Sequence, residues 1–155
     1  MITIGENAPD FKLPGITGDG SERREFSLSE LRGEPVVLVF YPADSSPVCT
    51  VQLNTYTDDF NQFEQVGAKV LAISPQSVDE HERFAVGEDG FAFPLLADVD
   101  KAVGESYGIL GPIGFYRRSV FVVDPDGVVR YAHRSTAGMT FRSTDEIVKA
   151  VAALH

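Results

Sequence analysis

The amino-acid sequence predicts an α/β fold, a mixed central sheet with helices on both faces. Three observations carry this expectation. Two apolar runs, PVVLVFY (35–41) and AKVLAIS (68–74), are short and rich in β-branched residues, as strands are in a sheet covered on both sides. Between them Leu53, Tyr56, Phe60 and Phe63 recur at helical spacing, and Gly67 is a natural stop. Further on, SVFVVDPDGVVRYAHR (119–134) reads as a hairpin with Pro125 and Gly127 in its turn.

Taken in order, strand, helix and strand form a βαβ unit with a parallel pair. A second helix starts at SVDE, where Ser77 and Glu80 have the spacing of a capping box and Val78, His81, Phe84 and Ala85 share a face. It ends around GEDG (87–90). FPLLAD (93–98) gives a short strand or turn, and KAVGESYG (101–108) a short helix. After the hairpin, Ser143 and Glu146 repeat the capping-box pattern ahead of Ile147, Val148, Val151 and Leu154, a terminal amphipathic helix. The order β-α-β-α-(β-α)-β-β-α is the thioredoxin-like arrangement. With 155 residues, no internal repeat and no linker, a single domain over residues 1–155 is expected.

Charge and composition narrow the function. There are 13 basic against 23 acidic residues, a net charge of −10, so the surface repels phosphate backbones and nucleic acid is not an expected partner. No apolar run approaches the roughly 20 residues of a membrane helix. The start, MITIGENAPDF, lacks the basic and apolar segments of a secretory signal, so a cytoplasmic location is expected. One cysteine excludes an internal disulfide, a CxxC pair and a cysteine-based zinc cluster. His81, His133 and His155 lie far apart and read as solvated or hydrogen-bonded surface residues. Neither a metal nor a cofactor is expected.

The cysteine, Cys49, sits in FYPADSSPVCT (40–50). Pro42 ends the strand, Ser46 suits a helix N-cap, and Pro47 suits the first helical position, where a missing N–H costs nothing. Cys49 then falls in the first helical turn, where unpaired N–H groups and the positive end of the helix dipole favour a thiolate. Singly these features fit a strand end, a cap and a gap-filling thiol. Together, at the carboxyl end of a sheet strand, they favour a reactive cysteine.

The pattern Pro42-x-x-x-Ser46-x-x-Cys49 resembles the active-site signature of the peroxiredoxins, Pro-x-x-x-Thr/Ser-x-x-Cys. GENAPDFKL (5–13), FSLSELRGEPVVLVFYP (26–42), FPLLAD and RSVFVVDPDG (118–127) resemble successive family segments, the first of them implying an N-terminal β extension. The small size and short C-terminal end are most similar to the bacterioferritin-comigratory (Q-type) and alkyl hydroperoxide reductase E-type members.

The resemblance implies a thiol-dependent peroxidase acting on hydrogen peroxide or organic hydroperoxides. Cys49 would be the peroxidatic thiol, oxidised to a sulfenic acid. Arg118 would hold the thiolate and stabilise the leaving oxygen. Ser46 would hydrogen-bond the thiolate or the peroxide, and Pro42 would close over the pocket. Gln52, where the family often has Glu, is assigned no catalytic role. Many Q-type members have a resolving cysteine five residues after the first; here that place is Asn54. A one-Cys cycle is therefore expected, closed by an outside thiol: a thioredoxin- or glutaredoxin-like protein, a low-molecular-weight thiol or another chain's Cys49. A homodimer is possible in such a family. The loop GILGPIGFYRR (108–118) is a candidate wall of the substrate pocket through Phe115 and Tyr116, or an ordinary connection. The rival reading is a thioredoxin-fold redox sensor using the same cysteine.

Overall fold

A computed structural model describes residues 2–135 and 140–154 of the chain; His155 lies outside them. The chain folds as strands β1 (Lys12–Ile16) and β2 (Arg23–Ser27), a 3₁₀ turn (Ser29–Leu31), then β3 (Val36–Phe40) and helices α1 (Pro47–Asp58) and α2 (Phe60–Gln65). There follow β4 (Lys69–Ser74), α3 (Val78–Gly87), β5 (Leu95–Ala97), α4 (Ala102–Ser106), β6 (Ser119–Val123), β7 (Val129–Arg134) and α5 (Thr144–Ala152). Seven strands form one mixed sheet in the order β2-β1-β5-β4-β3-β6-β7. β3, β4 and β5 run parallel at its centre, and every other neighbouring pair is antiparallel. The β1–β2 hairpin is the N-terminal β extension. It begins at Lys12, and the segment before it touches the sheet region through an isolated bridge from Asn7 to Val128.

The strand period explains the two cores. Along β3, Val37 and Val39 face one layer while Val36, Leu38 and Phe40 face the other; β4 and β6 alternate in the same way. One layer packs the sheet against α1, α2, α3 and α5 through Leu53, Tyr56, Phe63, Phe84, Ile147 and Val151. The other packs it under α4 and the chain around Tyr107 and Tyr116. Central strands buried on both faces are why PVVLVFY and AKVLAIS contain no regular polar alternation.

Two elements depart from expectation. The single helix expected through Phe63 is broken at Asp59, whose backbone leaves the helical region (ψ 12°) and whose carboxylate accepts from Thr144 Oγ1 at 2.8 Å. A short acidic side chain bonded outside its own helix competes with helix continuation. The capping box at α5 is half formed: Ser143 Oγ accepts from the Glu146 N–H, but the Glu146 carboxylate is taken up by Tyr131 and Arg142. At α3 both bonds of the box are present. Ser77→Ala is accordingly expected to cost about 1 kcal/mol, seen as a lower urea midpoint with an unchanged m-value.

Candidate active site

The site grows from the end of β3. The Tyr41 N–H still donates to Ile73 on β4, but Pro42 has no N–H and the strand ends there. Ser45 takes a left-handed conformation (φ 62°), which turns the chain into α1. Ser46 occupies the N-cap position and Pro47 begins the helix, as the spacing predicts. The Ser46 hydroxyl, however, does not cap: it donates back to the carbonyl of Ala43 at 3.2 Å. Pro42 lies half-buried in this loop.

Cys49 is the third residue of α1 and is fully buried. Arg118, the residue just ahead of β6, is 3% exposed and brings Nη1 to 3.2 Å from Cys49 Sγ. The same Nη1 donates to Gln52 Oε1 at 2.5 Å. β3 and β6 are neighbours with Phe40 opposite Ser119, so the sheet register sets the arginine beside the turn that carries the cysteine. The guanidinium thus sets a fixed positive charge and a directed N–H donor against the buried sulfur. Gln52, given no role from sequence, is thus a direct partner of Arg118. Its signal was in the helix pattern: Cys49, Gln52, Leu53 and Tyr56 form one buried stripe at i, i+3, i+4, i+7, with a single amide in it.

A second network lies behind the loop. Tyr41 Oη donates to Asp44 Oδ1 at 2.7 Å, and Asp44 Oδ2 lies 2.6 Å from His81 Nδ1 on α3. His81 Nε2 meets the carbonyl of Leu96 on β5 at 2.9 Å. A carbonyl only accepts, so Nε2 carries a hydrogen, and one further proton lies between Nδ1 and Oδ2. Burial, and then the Asp44 charge, push the Tyr41 hydroxyl well above its ordinary range, so it remains a donor. His81 is therefore no surface residue: it is fully buried and ties the loop before Cys49 to α3 and β5. A lone histidine in a sequence declares no partner 37 positions away, so this role shows only in the fold. His133 is half-buried, and burial lowers its pKa.

The 108–118 loop folds as a tight reversal, with Leu110 bridged to Tyr116 and the Gly111 N–H donating to Phe115. Tyr116 cannot serve as a pocket wall through its hydroxyl. It is buried against Phe40 and donates to Asp98. Phe115 and Ile113 stand exposed at the tip.

Fold and site define the class: a thioredoxin-fold protein whose one cysteine is buried in a helix's first turn and held by an arginine. Residues 4–132 match the AhpC/TSA family. The selenocysteine-containing peroxiredoxin PrxU of Peptoclostridium acidaminophilum is 34% identical over 84% of this chain and 66% of its own length. Peroxiredoxin 2 of Thermoplasma acidophilum is 32% identical over 98% of this chain and 76% of its own. The reduced 2-Cys peroxiredoxin of Plasmodium vivax is similar in structure with a TM-score of 0.88, at 26% identity over 97% of this chain and 95% of that one. The chain belongs to the AhpC/TSA family, the peroxiredoxins. It spans about two thirds to three quarters of the length of these curated relatives. Among the described residues, no helix is long and apolar enough to cross a membrane.

Proposed function

We propose that the chain is a one-Cys thiol peroxidase. Cys49 thiolate attacks one oxygen of a hydroperoxide; the S–O bond forms as the O–O bond breaks. The leaving oxygen takes a proton and departs as water or an alcohol, and a sulfenic acid remains on Cys49. The single observation that supports this reading is the contact of Arg118 Nη1 with the buried sulfur. Arg118 would hold the thiolate and then the charge developing on the leaving oxygen. Ser46, whose hydrogen is given to Ala43, keeps lone pairs with which to accept from the peroxide O–H. Pro42 would restrict water at the mouth.

An outside thiol then attacks the sulfenic sulfur and releases water. A second thiol reduces the mixed disulfide and returns Cys49 to the thiol. With one cysteine in the chain, no intramolecular disulfide can form. The reductant is a thioredoxin- or glutaredoxin-like protein or a low-molecular-weight thiol; the small size suits the Q-type and E-type members, and Asn54 at the resolving position sets the chain apart from many of the Q-type. Two chains pairing as a homodimer would fit the family.

The test is stopped-flow reaction of the reduced protein with hydrogen peroxide and with an organic hydroperoxide, followed by steady-state turnover with added thiols. A second-order reaction faster than that of a free thiol, abolished in Cys49→Ser and repeated over many cycles, is expected. A rate no better than free cysteine would overturn the reading. One fast reaction without turnover by any thiol would make the protein a sensor.

A further inference from the structure

Behind Arg118 a line of buried polar groups runs along α1 toward the start of α5. Gln52 is fully buried, one turn beyond Cys49. Because a guanidinium offers only donors, the Gln52 carboxamide must turn its oxygen to Arg118 and its NH₂ away. That NH₂ meets Tyr56 Oη at 3.5 Å, one further turn along. The Tyr56 hydroxyl has one hydrogen, given to the backbone carbonyl of Arg142 at 2.5 Å, so toward Gln52 it can only accept. Its ring is wedged edge-on against Phe63 and Phe141. Burial raises the hydroxyl to about 12, which keeps it protonated throughout the neutral range. Each hydrogen in the row therefore has one direction: Gln52 to Tyr56, Tyr56 to Arg142, Arg118 to Gln52 and to sulfur.

We propose that Tyr56 is a positioning residue for the peroxide reaction: by accepting from Gln52 it fixes the amide whose oxygen holds Arg118 Nη1 on Cys49. The proposal rests on the reading of Cys49 as the peroxide-reacting thiol. Tyr56 touches neither the sulfur nor the substrate in this scheme. It acts through Gln52 alone, and this makes the proposal separable from a packing role. Tyr56→Phe keeps the ring and its two aromatic contacts and removes only the oxygen.

The experiment measures the second-order rate constant with hydrogen peroxide for wild type, Tyr56→Phe, Gln52→Met and the double variant, with thermal midpoints as a check on folding. Gln52→Met fills the same space with no N–H for Tyr56 to accept. Tyr56→Phe is expected to slow the wild-type protein about three- to tenfold, the weight of one hydrogen bond. In the Gln52→Met background it is expected to change the rate by less than about twofold, because the connecting group is already gone. An equal drop in both backgrounds, or none in the wild type, would overturn the proposal.

A second readout needs no peroxide chemistry: the pH profile of Cys49 alkylation by iodoacetamide. The Tyr56→Phe profile is expected to move part of the way toward that of Arg118→Ala, and to stay put once Gln52 is Met. A profile that Tyr56→Phe leaves unmoved overturns the positioning role. A wild-type protein that reacts with peroxide no faster than free cysteine, yet shows this shift, overturns the peroxidase reading alone.

Discussion

Arg118→Ala is expected to lower the second-order rate constant for hydrogen peroxide by about 10²- to 10³-fold, the range found when one preorganised donor to a developing oxyanion is removed. The size follows from where the guanidinium sits. It is 3% exposed, so water does not screen it, and one nitrogen serves both the Cys49 sulfur and the Gln52 oxygen. Arg118→Lys tests the geometry apart from the charge. An ammonium keeps the positive charge but is a single point on a flexible stem, whereas the planar fork fixes the direction of each donor. The lysine variant is expected to fall between wild type and alanine. Stopped-flow measurement across pH reads both. A lysine variant as fast as wild type would mean that charge alone matters, and an alanine variant as fast would remove Arg118 from the chemistry.

The second large effect concerns stability. His81→Leu is expected to destabilise the fold by about 3–5 kcal/mol, the usual result of removing one partner of a buried pair. The Asp44 side chain is 5% exposed, and Leu cannot replace the proton that lies between Nδ1 and Oδ2. The Tyr41 bond to Oδ1 would remain, leaving half a network around a buried carboxyl group. For a chain of this length the change corresponds to a thermal midpoint lower by roughly 10 °C. Asp44→Leu/His81→Leu is expected to recover most of the loss, since two apolar groups leave no unpaired charge. Denaturant unfolding of the two singles and the double gives the coupling directly. A His81→Leu protein within about 1 kcal/mol of wild type, the upper range of an exposed ion pair, would show that the pair contributes little to the fold.

These two cases also mark how far the sequence can be read. Local signals carried well: the helix starts at Ser46-Pro47 and Ser77, the chain turns at Gly67 and Gly127, and β3 and β4 are buried where two apolar runs occur. Each depends on neighbours within a few positions. Asp59 was illegible because the apolar period continues through it, and only Thr144, brought over on α5, gives its carboxylate a competing partner. Ser46 was placed correctly but its hydroxyl was not, since a cap and a bond back to Ala43 call for the same residue type. Gln52 and His81 are illegible for a common reason: each is defined by a partner far away in the chain, Arg118 for one and Asp44 for the other. Polar groups inside the fold gain meaning only from what faces them, and periodicity cannot say what that is.

The burial of Cys49 has a practical side. It is the one thiol of the chain and none of its surface is open to solvent. A bulky thiol label can therefore attach only while the first turn of α1 has swung away from the sheet. When reclosing outpaces labelling, the labelling rate divided by that of an exposed thiol gives the open fraction, as amide exchange does for a backbone N–H. One side chain thus serves as a built-in clock for the motion of its own site, and the same reagent can compare that motion in the His81, Arg118 and Tyr56 variants.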